Sequence, residues 1–446
     1  MASTFFGLTI AYSGLQAANT SLTITGHNVS NINTKGYTKQ QAGTQAADAL
    51  RTHTTYGAIG SGVVVTEISQ IRDSYYDVKY RNNMANYGQY SVKESYMGQI
   101  EDYLDEFTLN GYSQEYKNFF SAVNQLTITP GDTSAKNQLI NNAKSLADYF
   151  NTLTTNLRNV QADANNEIKD AVQQINSYAK NIAALNRQIN QIEANYGNAN
   201  DLRDKRNAMI DELSEIVNLE TSEEDMGNNV SNFSVRINGQ TLVSSYSYNT
   251  LETVARTDKK NYSDAEGLYD VQWNSGQKFD MYSTSLSGHL KGLIDIRDGN
   301  NGEHENIETD DDGNNVTDSD GNLVLTTAPA ADKTVSYKGV PYYQAQLNEF
   351  AKIFSDAVNK IMKSGYTSDG SSKGISLFVT QPNTTVMSAG NITVNPELLK
   401  NADLLAIKKE QNDGESDAKI MEELNKLQSE KIFAGGTGSY FLESIV

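Results

Sequence analysis

Residues 1–34 contain no Asp, Glu, Lys or Arg, and His27 is their single histidine. A seven-residue pattern runs through them. Leu8, Leu15, Leu22 and Val29 form one row, and Ala11, Ala18, Thr25 and Ile32 form the other. These rows are the a and d positions of a heptad, so they share one face of a helix. The opposite face is Ser, Thr, Asn and Gln rather than charge. Charges are depleted at buried interface cores, where each needs a partner, so this seam suits a crowded protein–protein environment. Asn19-Thr20-Ser21 and residues 23–26 have low helix propensity, so the helix depends on packing for its stability.

The run Gly26-His27-Asn28 through Asn31, Asn33, Gly36 and Tyr37 to Gln40 ends the stretch. Asn tolerates left-handed backbone and makes local side-chain turns, and Gly36 takes a positive φ at low cost. Asn28, Asn31 and Asn33 are therefore expected to stop the helix and redirect the chain. An uncharged heptad helix followed by an Asn-rich turn and a Thr-x-Gly-Tyr step resembles the bacterial flagellar axial proteins, the rod, hook and hook-associated proteins.

A chain of 446 residues accommodates two to four domains. Net charge is −19, and residues 1–72 hold Lys35, Lys39, Arg51 and Arg72 against Asp48 and Glu67, so the acidity lies further on. With no basic stripe to displace counterions, nucleic acid is not an expected partner. The absence of cysteine excludes disulfides and thiolate metal sites. The first residues lack a basic region followed by a long apolar run, so they are not a secretory signal. No stretch is long enough for membrane insertion as a helix.

Gly57, Gly60 and Gly62 precede an expected strand, 63–68. A dinucleotide fingerprint needs a helix there, so a glycine turn is the better reading. A second helix is expected over 71–107, with Tyr76, Tyr80, Tyr87 and Tyr90 in half-wet packing. A third covers 113–127, and Asp132 offers an N-cap to the next.

The longest element spans 134–196, about 90 Å if unbroken. Ala143, Phe150, Leu157, Ala164, Ala171, Tyr178, Leu185 and Ile192 recur every seven residues. Their companion row is Leu139, Leu146, Leu153 and Val160, then shifts one position to Ile168, Ile175, Ile182 and Ile189. That shift offsets the drift of a heptad stripe around a straight helix. Gly197-Asn198 breaks the helix, and an antiparallel helix is expected over 200–217.

Ile182 to Asn190 and the segment Asn200-Asp201-Leu202-Arg203-Asp204-Lys205-Arg206 resemble the helical domain of the flagellar hook-associated protein 1 family. Asp204 and Arg206, two apart, point to different helix faces, and a solvated face with local ion pairs is expected there rather than a catalytic pair.

Period-two alternation at Phe233, Val235, Ile237, Leu242, Val243, Tyr269, Val271 and Trp273 marks an antiparallel β unit over 218–285. Helices over 286–298 and from Val340 again resemble the family, in which those segments lie close together. Here an acidic insert, 299–339, separates them. Residues 303–320 carry eight acids and no Lys or Arg. A mobile hairpin with strands 323–325 and 334–337 is expected. Glu308, Asp310 and Asp312 partly match a calcium loop, but Ser319 stands where its bidentate Glu belongs. His304 and Glu308 lack the second His of a zinc-peptidase helix. Short strands at 375–379 and 391–394 and helices at 396–409 and 416–432 complete the chain.

The expected fold class is mostly α with a smaller β part. Long heptad helices form an elongated bundle, with an inserted β unit and a projecting N-terminal helix. The expected divisions are 1–72, 73–217, 218–285 and 286–446, ending before the C-terminal helices the family carries. Four scattered histidines, no thiol and no phosphate-loop lysine argue against an enzyme, and no cofactor or metal is expected. The resemblance implies a structural component joining hook to filament, exported as an unfolded chain through the flagellar apparatus without a cleaved signal. Its implied partners are copies of itself in a ring, the hook protein, the next hook-associated protein, and the export apparatus with its chaperone. The alternatives are another axial protein such as the hook protein, or a non-flagellar adhesin-like binding module.

Overall fold

The computed structural model describes residues 5–51, 57–104, 112–329, 335–414, 416–433 and 436–443. Helix α1 is Phe6–Ser30. Strands Gln40–Ala46 and Val63–Gln70 then pair antiparallel, with a bulge between Gly43 and Thr44. Helices α2 (Ser74–Leu104), α3 (Tyr112–Ile128), α4 (Thr133–Glu193) and α5 (Asn200–Ile216) follow. The β unit comes next, then α6 (His289–Asp298), the acidic insert and α7 (Val340–Ser364). The expected end of the second helix, Phe107, lies outside the described residues.

The 61-residue α4 is the spine. Asp132 caps it, its carboxylate accepting from Ser134 N at 2.8 Å. In the first half the rows of Leu139 and Ala143 are both buried. In the second half Ile168, Ile175, Ile182 and Ile189 take over as the buried row. The Ala143 row does not stay continuous. Tyr178 and Leu185 are only half-buried and Ile192 is exposed, because the stripe has rotated past them. Val172, Ala179, Ala183, Asn186 and Asn190 replace them on the buried face.

Helices α2 to α7 and both β sheets of the β unit share one apolar core, running from Val92 to Phe433. Strands 219–225, 231–237, 240–244 and 247–248 form an antiparallel meander, and 251–255 pairs with 269–273. Asn176, Asn186 and Asn190 on α4 bond backbone groups of this unit.

Helix α2 turns Arg81, Ala85 and Gly88 inward over its first half and Val92, Tyr96, Ile100 and Leu104 over its second. A Cβ at Gly88 would meet Glu215 O at 2.2 Å, and one at Gly292 of α6 would meet Gln89 O at 2.7 Å. Only glycine permits those crossings. The tyrosines are therefore not in half-wet packing: Tyr76, Tyr80, Tyr87 and Tyr90 lie on the opposite face, exposed.

The acidic insert is docked rather than mobile. Its neck closes where Gly339 N donates to Gly299 O at 2.9 Å. Its strands are Glu303–Ile307 and Leu325–Pro329, not 323–325 with 334–337. Val335 is buried, and Thr334 lies outside the described residues. Glu305 is buried beside Asn348, whose Nδ2 donates to it at 2.9 Å, and Leu323 N donates to Thr385 O at 2.6 Å. The carboxylate of Asp320 pairs with Lys363. Asp310 spends an oxygen on its own turn, accepting from Asn314 N at 2.8 Å, and Asp318 does the same for Asn322 N at 2.9 Å. Among the described residues no group of three or more His, Cys, Asp or Glu side chains is placed to hold a metal ion.

The expected 396–409 helix is also replaced. Helix Pro396–Lys400 stops at Asn401, whose side chain caps a short 3-10 turn, Ala402–Leu404. Ala406–Lys408 then forms a buried strand against Tyr366–Thr367. The later helix is Lys419–Leu427, shorter than the expected 416–432.

Candidate assembly interface

Two of the motifs singled out in the sequence meet in space. The uncharged helix and its Asn-rich turn sit over the start of α5, where Asn200 to Arg206 lie.

Helix α1 packs on the 40–70 hairpin through a face that the heptad rows do not include. Ala17 and Ile24 are its buried residues, with Ile10 and Ser13 half-buried beside them. A Cβ at Gly62 (φ +114°) would meet Ser13 Oγ at 2.2 Å, so glycine alone permits this approach. Val63 N donates to the same hydroxyl at 3.2 Å. The heptad seam faces away. Leu8, Leu15 and Leu22 are 67%, 60% and 70% exposed, and Ala11, Ala18, Thr25, Val29 and Ile32 are exposed too.

Asn28 does not break the helix. It lies in the last turn of α1 and ties that turn to the hairpin. Its Nδ2 donates to Gln40 O, and its Oδ1 accepts from Gln40 N, both at 2.9 Å. The Tyr37 hydroxyl donates to the same oxygen at 2.7 Å, with His27 Nδ1 at 2.9 Å from that hydroxyl. Partial burial, with the carboxylates of Asp201 and Asp204, holds the Tyr37 phenol above its ordinary pKa, so it remains a donor. The stop itself belongs to Asn31, which follows the helix and whose Nδ2 donates back to His27 O at 3.0 Å. Asn33 is exposed in the turn. Gly36 has φ +81° and lies over Ala208, where an added Cβ would approach the alanine Cβ to 2.8 Å.

The contact with α5 is polar. Thr38 N donates to Asp204 Oδ2 at 3.0 Å, and Gln70 Nε2 to Asp204 Oδ1 at 2.8 Å. Gln40 Nε2 donates to Asp201 at 3.1 Å. Asn200 Nδ2 donates to Ile68 O at 2.8 Å. Leu202 is half-buried. A cleft of about 420 Å³ between Tyr37, Lys205, Ala208 and Met209 separates the turn from the helix beyond these bonds.

Asp204 and Arg206 do point to different faces, but neither is solvated: both are buried. Asp204 holds the N-terminal segment. Arg206 instead joins α5 to α4 and the β unit. Its guanidinium lies 3.7 Å from the Phe233 ring centroid and donates to Asn186 Oδ1 and Glu223 Oε2, each at 3.1 Å. Burial pushes its pKa down to about 10 against the opposing pull of Glu223, so it stays charged at neutral pH. Arg81, itself buried, binds Asp211 at 2.8 Å and fixes α2 to α5. Gln40, Gln70, Ser13 and Arg81 were not legible as site residues, since no local pattern distinguishes them.

The arrangement presents a neutral helix seam, held out by a hairpin and clamped through part-buried amide–carboxylate bonds.

Residues 97–378, more than half of the chain, match the family model described as flagellar hook-associated protein FlgK helical domain. The chain is 27% identical over 390 residues to flagellar hook-associated protein 1 of Bacillus subtilis, covering 84% of this chain and 70% of that protein. It is 33% identical over 219 residues to the protein of the same name from Salmonella typhimurium, covering 49% of this chain and 39% of that one. The solved flagellar hook junction protein FlgK of Burkholderia pseudomallei superposes with a TM-score of 0.48 at 22% identity, over 67% of this chain and 46% of the other. The match to the helical-domain family spans α3 to α7 with the β unit between them, the core that carries α1, and on that ground the chain belongs to the flagellar hook-associated protein FlgK family.

Proposed function

We propose that this chain is a structural, non-enzymatic link at the hook–filament junction, incorporated through the exposed seam of α1. The family and the names of the relatives support the location. The observation that carries the assembly role is the exposure of Leu8, Leu15 and Leu22 on a helix whose other face is already packed. An apolar heptad seam free of charge is costly to leave in water and suited to a helical neighbour. In this reading Leu8, Ala11, Leu15, Ala18, Leu22, Thr25, Val29 and Ile32 are the contact residues. Asn28, Asn31, Asn33, Gly36 and Tyr37 set the exit angle of α1. Asn200, Asp201, Leu202 and Asp204 receive it, and Arg206 braces α5 from behind.

The partners are other copies in a ring, the hook protein on one side and the next hook-associated protein on the other. The chain reaches them unfolded through the export apparatus with its chaperone, to lie outside the cell. No described helix is long and apolar enough to cross a membrane.

The test is Leu15→Asp in the source bacterium. The expected result is loss of the protein from isolated flagella while the purified variant keeps its helix content. Normal filaments containing the variant would refute the role of this seam.

A further inference from the structure

Residues 301–329 of the acidic insert send one side chain into the interior, and it is a carboxyl. Glu305 is 2% exposed, and every other residue of that stretch is half-buried or exposed. The seating of the insert therefore turns on a polar group rather than on apolar burial. Glu305 enters a cluster of neutral groups from two other elements. Its N–H donates to Asn261 Oδ1 at 3.1 Å, and its carbonyl accepts from Tyr262 N at 2.8 Å. Asn348 Nδ2 on α7 donates to Glu305 Oε1 at 2.9 Å and to Ser263 Oγ at 2.7 Å. Glu305 Oε2 is buried with no hydrogen-bond partner among the described residues. Asp264, also 2% exposed, belongs to the loop on which Glu305 sits. Its oxygens accept from Gln161 Nε2 at 2.8 Å and Asn261 N at 2.9 Å.

An ionised carboxylate is costly to bury unless a cation meets it, and a second carboxylate nearby adds to the cost. The charges around Glu305 do not meet it. Asp264 repels it, and Glu303, two positions along its own strand, has the same sign. Helix α4 brings Arg158, whose Nε donates instead to Ser263 O at 3.2 Å. Arg256 acts on Asp264 but is paired with Asp270 and Asp298. Burial holds the half-buried Tyr262 phenol above its ordinary pKa, so it is neutral. On α7 the contact is the neutral Asn348; Glu349 is exposed and Lys352 is paired with Asp356. Strand Leu325–Pro329 carries no charge. The neutral acid is the form that fits this seat, and burial accordingly holds both carboxyls above the usual carboxylate range.

We propose that the proton on Glu305 operates a latch: residues 303–329 stay seated on α7 and the 261–264 loop while that carboxyl is neutral, and leave the seat when it ionises. The body stays folded, because the stretch that leaves buries no apolar side chain. The neck is held separately, by Gly339 N on Gly299 O and by Asn300 Nδ2 on Asn261 Oδ1, each at 2.9 Å. Release carries the eight acids of 303–320 into water and breaks the Leu323–Thr385 bond and the Asp320–Lys363 pair. The seated state holds the proton more tightly than the released one. The seating constant therefore falls tenfold per pH unit between the ordinary glutamate value and the raised one, and is level on either side. The latch does not depend on where the chain assembles.

The experiment is amide hydrogen exchange of the purified chain from pH 5 to pH 8, each rate divided by the intrinsic rate at that pH. The amides to read are Leu323, bonded to Thr385 O, and Tyr262, bonded to Glu305 O, since both bonds join insert to body. Their opening constants should rise at least tenfold from pH 5 to pH 8, while α4 amides stay within twofold. In Glu305→Gln, whose side chain cannot ionise, the rise should be less than twofold. Asp264→Asn removes the repulsion and should show a rise at least threefold smaller than wild type. A level wild-type profile, an equal rise in Glu305→Gln, or a parallel rise along α4 overturns the latch. If Glu305→Gln is already open at pH 5, Asp264→Asn decides, and a rise equal to wild type there overturns it.

Discussion

Helices α1 and α4 have the same seven-residue grammar and opposite fates. Along α4 the seam is closed: Leu139, Phe150, Leu157, Ile168, Ile175 and Ile182 are fully buried against other elements of the body. Along α1 the corresponding rows face solvent, and the burial is on another face. The difference lies in what surrounds the seam. The back of α4 carries Lys, Arg, Asp and Glu, which keep that face in water while neighbours later in the chain cover the front. The back of α1 carries none and receives a hairpin instead. Apolar periodicity thus identifies a seam without saying what covers it, and of the two helices the one without charge is the one whose rows the described residues leave exposed.

This contrast predicts unequal costs for equal substitutions. Leu157→Asp buries an unpaired carboxylate and removes a core side chain, an expected loss of more than about 4 kcal/mol. Leu15→Asp should change stability by no more than about 0.5 kcal/mol in the free chain. Thermal unfolding followed by circular dichroism checks both, and similar losses at the two sites would erase the distinction.

A smaller effect should appear at the joint between the regions. Gly36→Ala adds a Cβ where φ is +81° and Ala208 is already at the limit. The cost should be about 1–2 kcal/mol, confined to the clamp on α5. Limited proteolysis should then cut the 5–70 segment several-fold faster, with α4 cleaved at the wild-type rate. Equal acceleration in α4 would show that the clamp is part of the global fold.

The smallest expected effect lies in the body and depends on pH. Burial holds the Glu305 carboxyl above its ordinary pKa, against hydrogen bonds from Asn348 and Ser263 and with added repulsion from Asp264. The native state therefore keeps this proton to higher pH than the unfolded chain does. Its stabilising contribution is complete below the ordinary glutamate value and is lost as pH rises through the raised native one. Glu305→Gln should raise the melting temperature by about 1 °C at pH 7 and by less at pH 4. The same gain at both pH values would mean that ionisation is not the cause.

The Leu139 and Ile168 rows of α4, its Asp132 cap and the strands of the β unit were legible because local pattern and tertiary packing agree there, whereas the Ala143 row loses its burial after Ala171 and the helix ends at Glu193, ahead of Gly197. Other features depended on distant partners. Over its first half the inward face of α2 was hidden because its buried residues, Arg81, Ala85 and Gly88, are charged or small, while its tyrosines formed the stronger pattern. Asp204 and Arg206 resembled surface charges until the hairpin and Phe233 covered them. The acidic insert resembled a solvated loop, since only the fold reveals that Glu305 reaches Asn348. At the proposed interface, the exposure of the α1 rows and the positive φ of Gly36 match the sequence pattern, whereas Asn28 looks like a turn residue because Gln40 gives no local sign of pairing with it.

Amide hydrogen exchange, measured on the free chain and on assembled flagella, tests the open seam most directly. Helix α1 should exchange within seconds to minutes in the free chain and become protected at least a hundredfold on assembly, while α4 stays protected in both. Protection of α1 equal to that of α4 in the free chain, or no gain for α1 on assembly, would contradict the account.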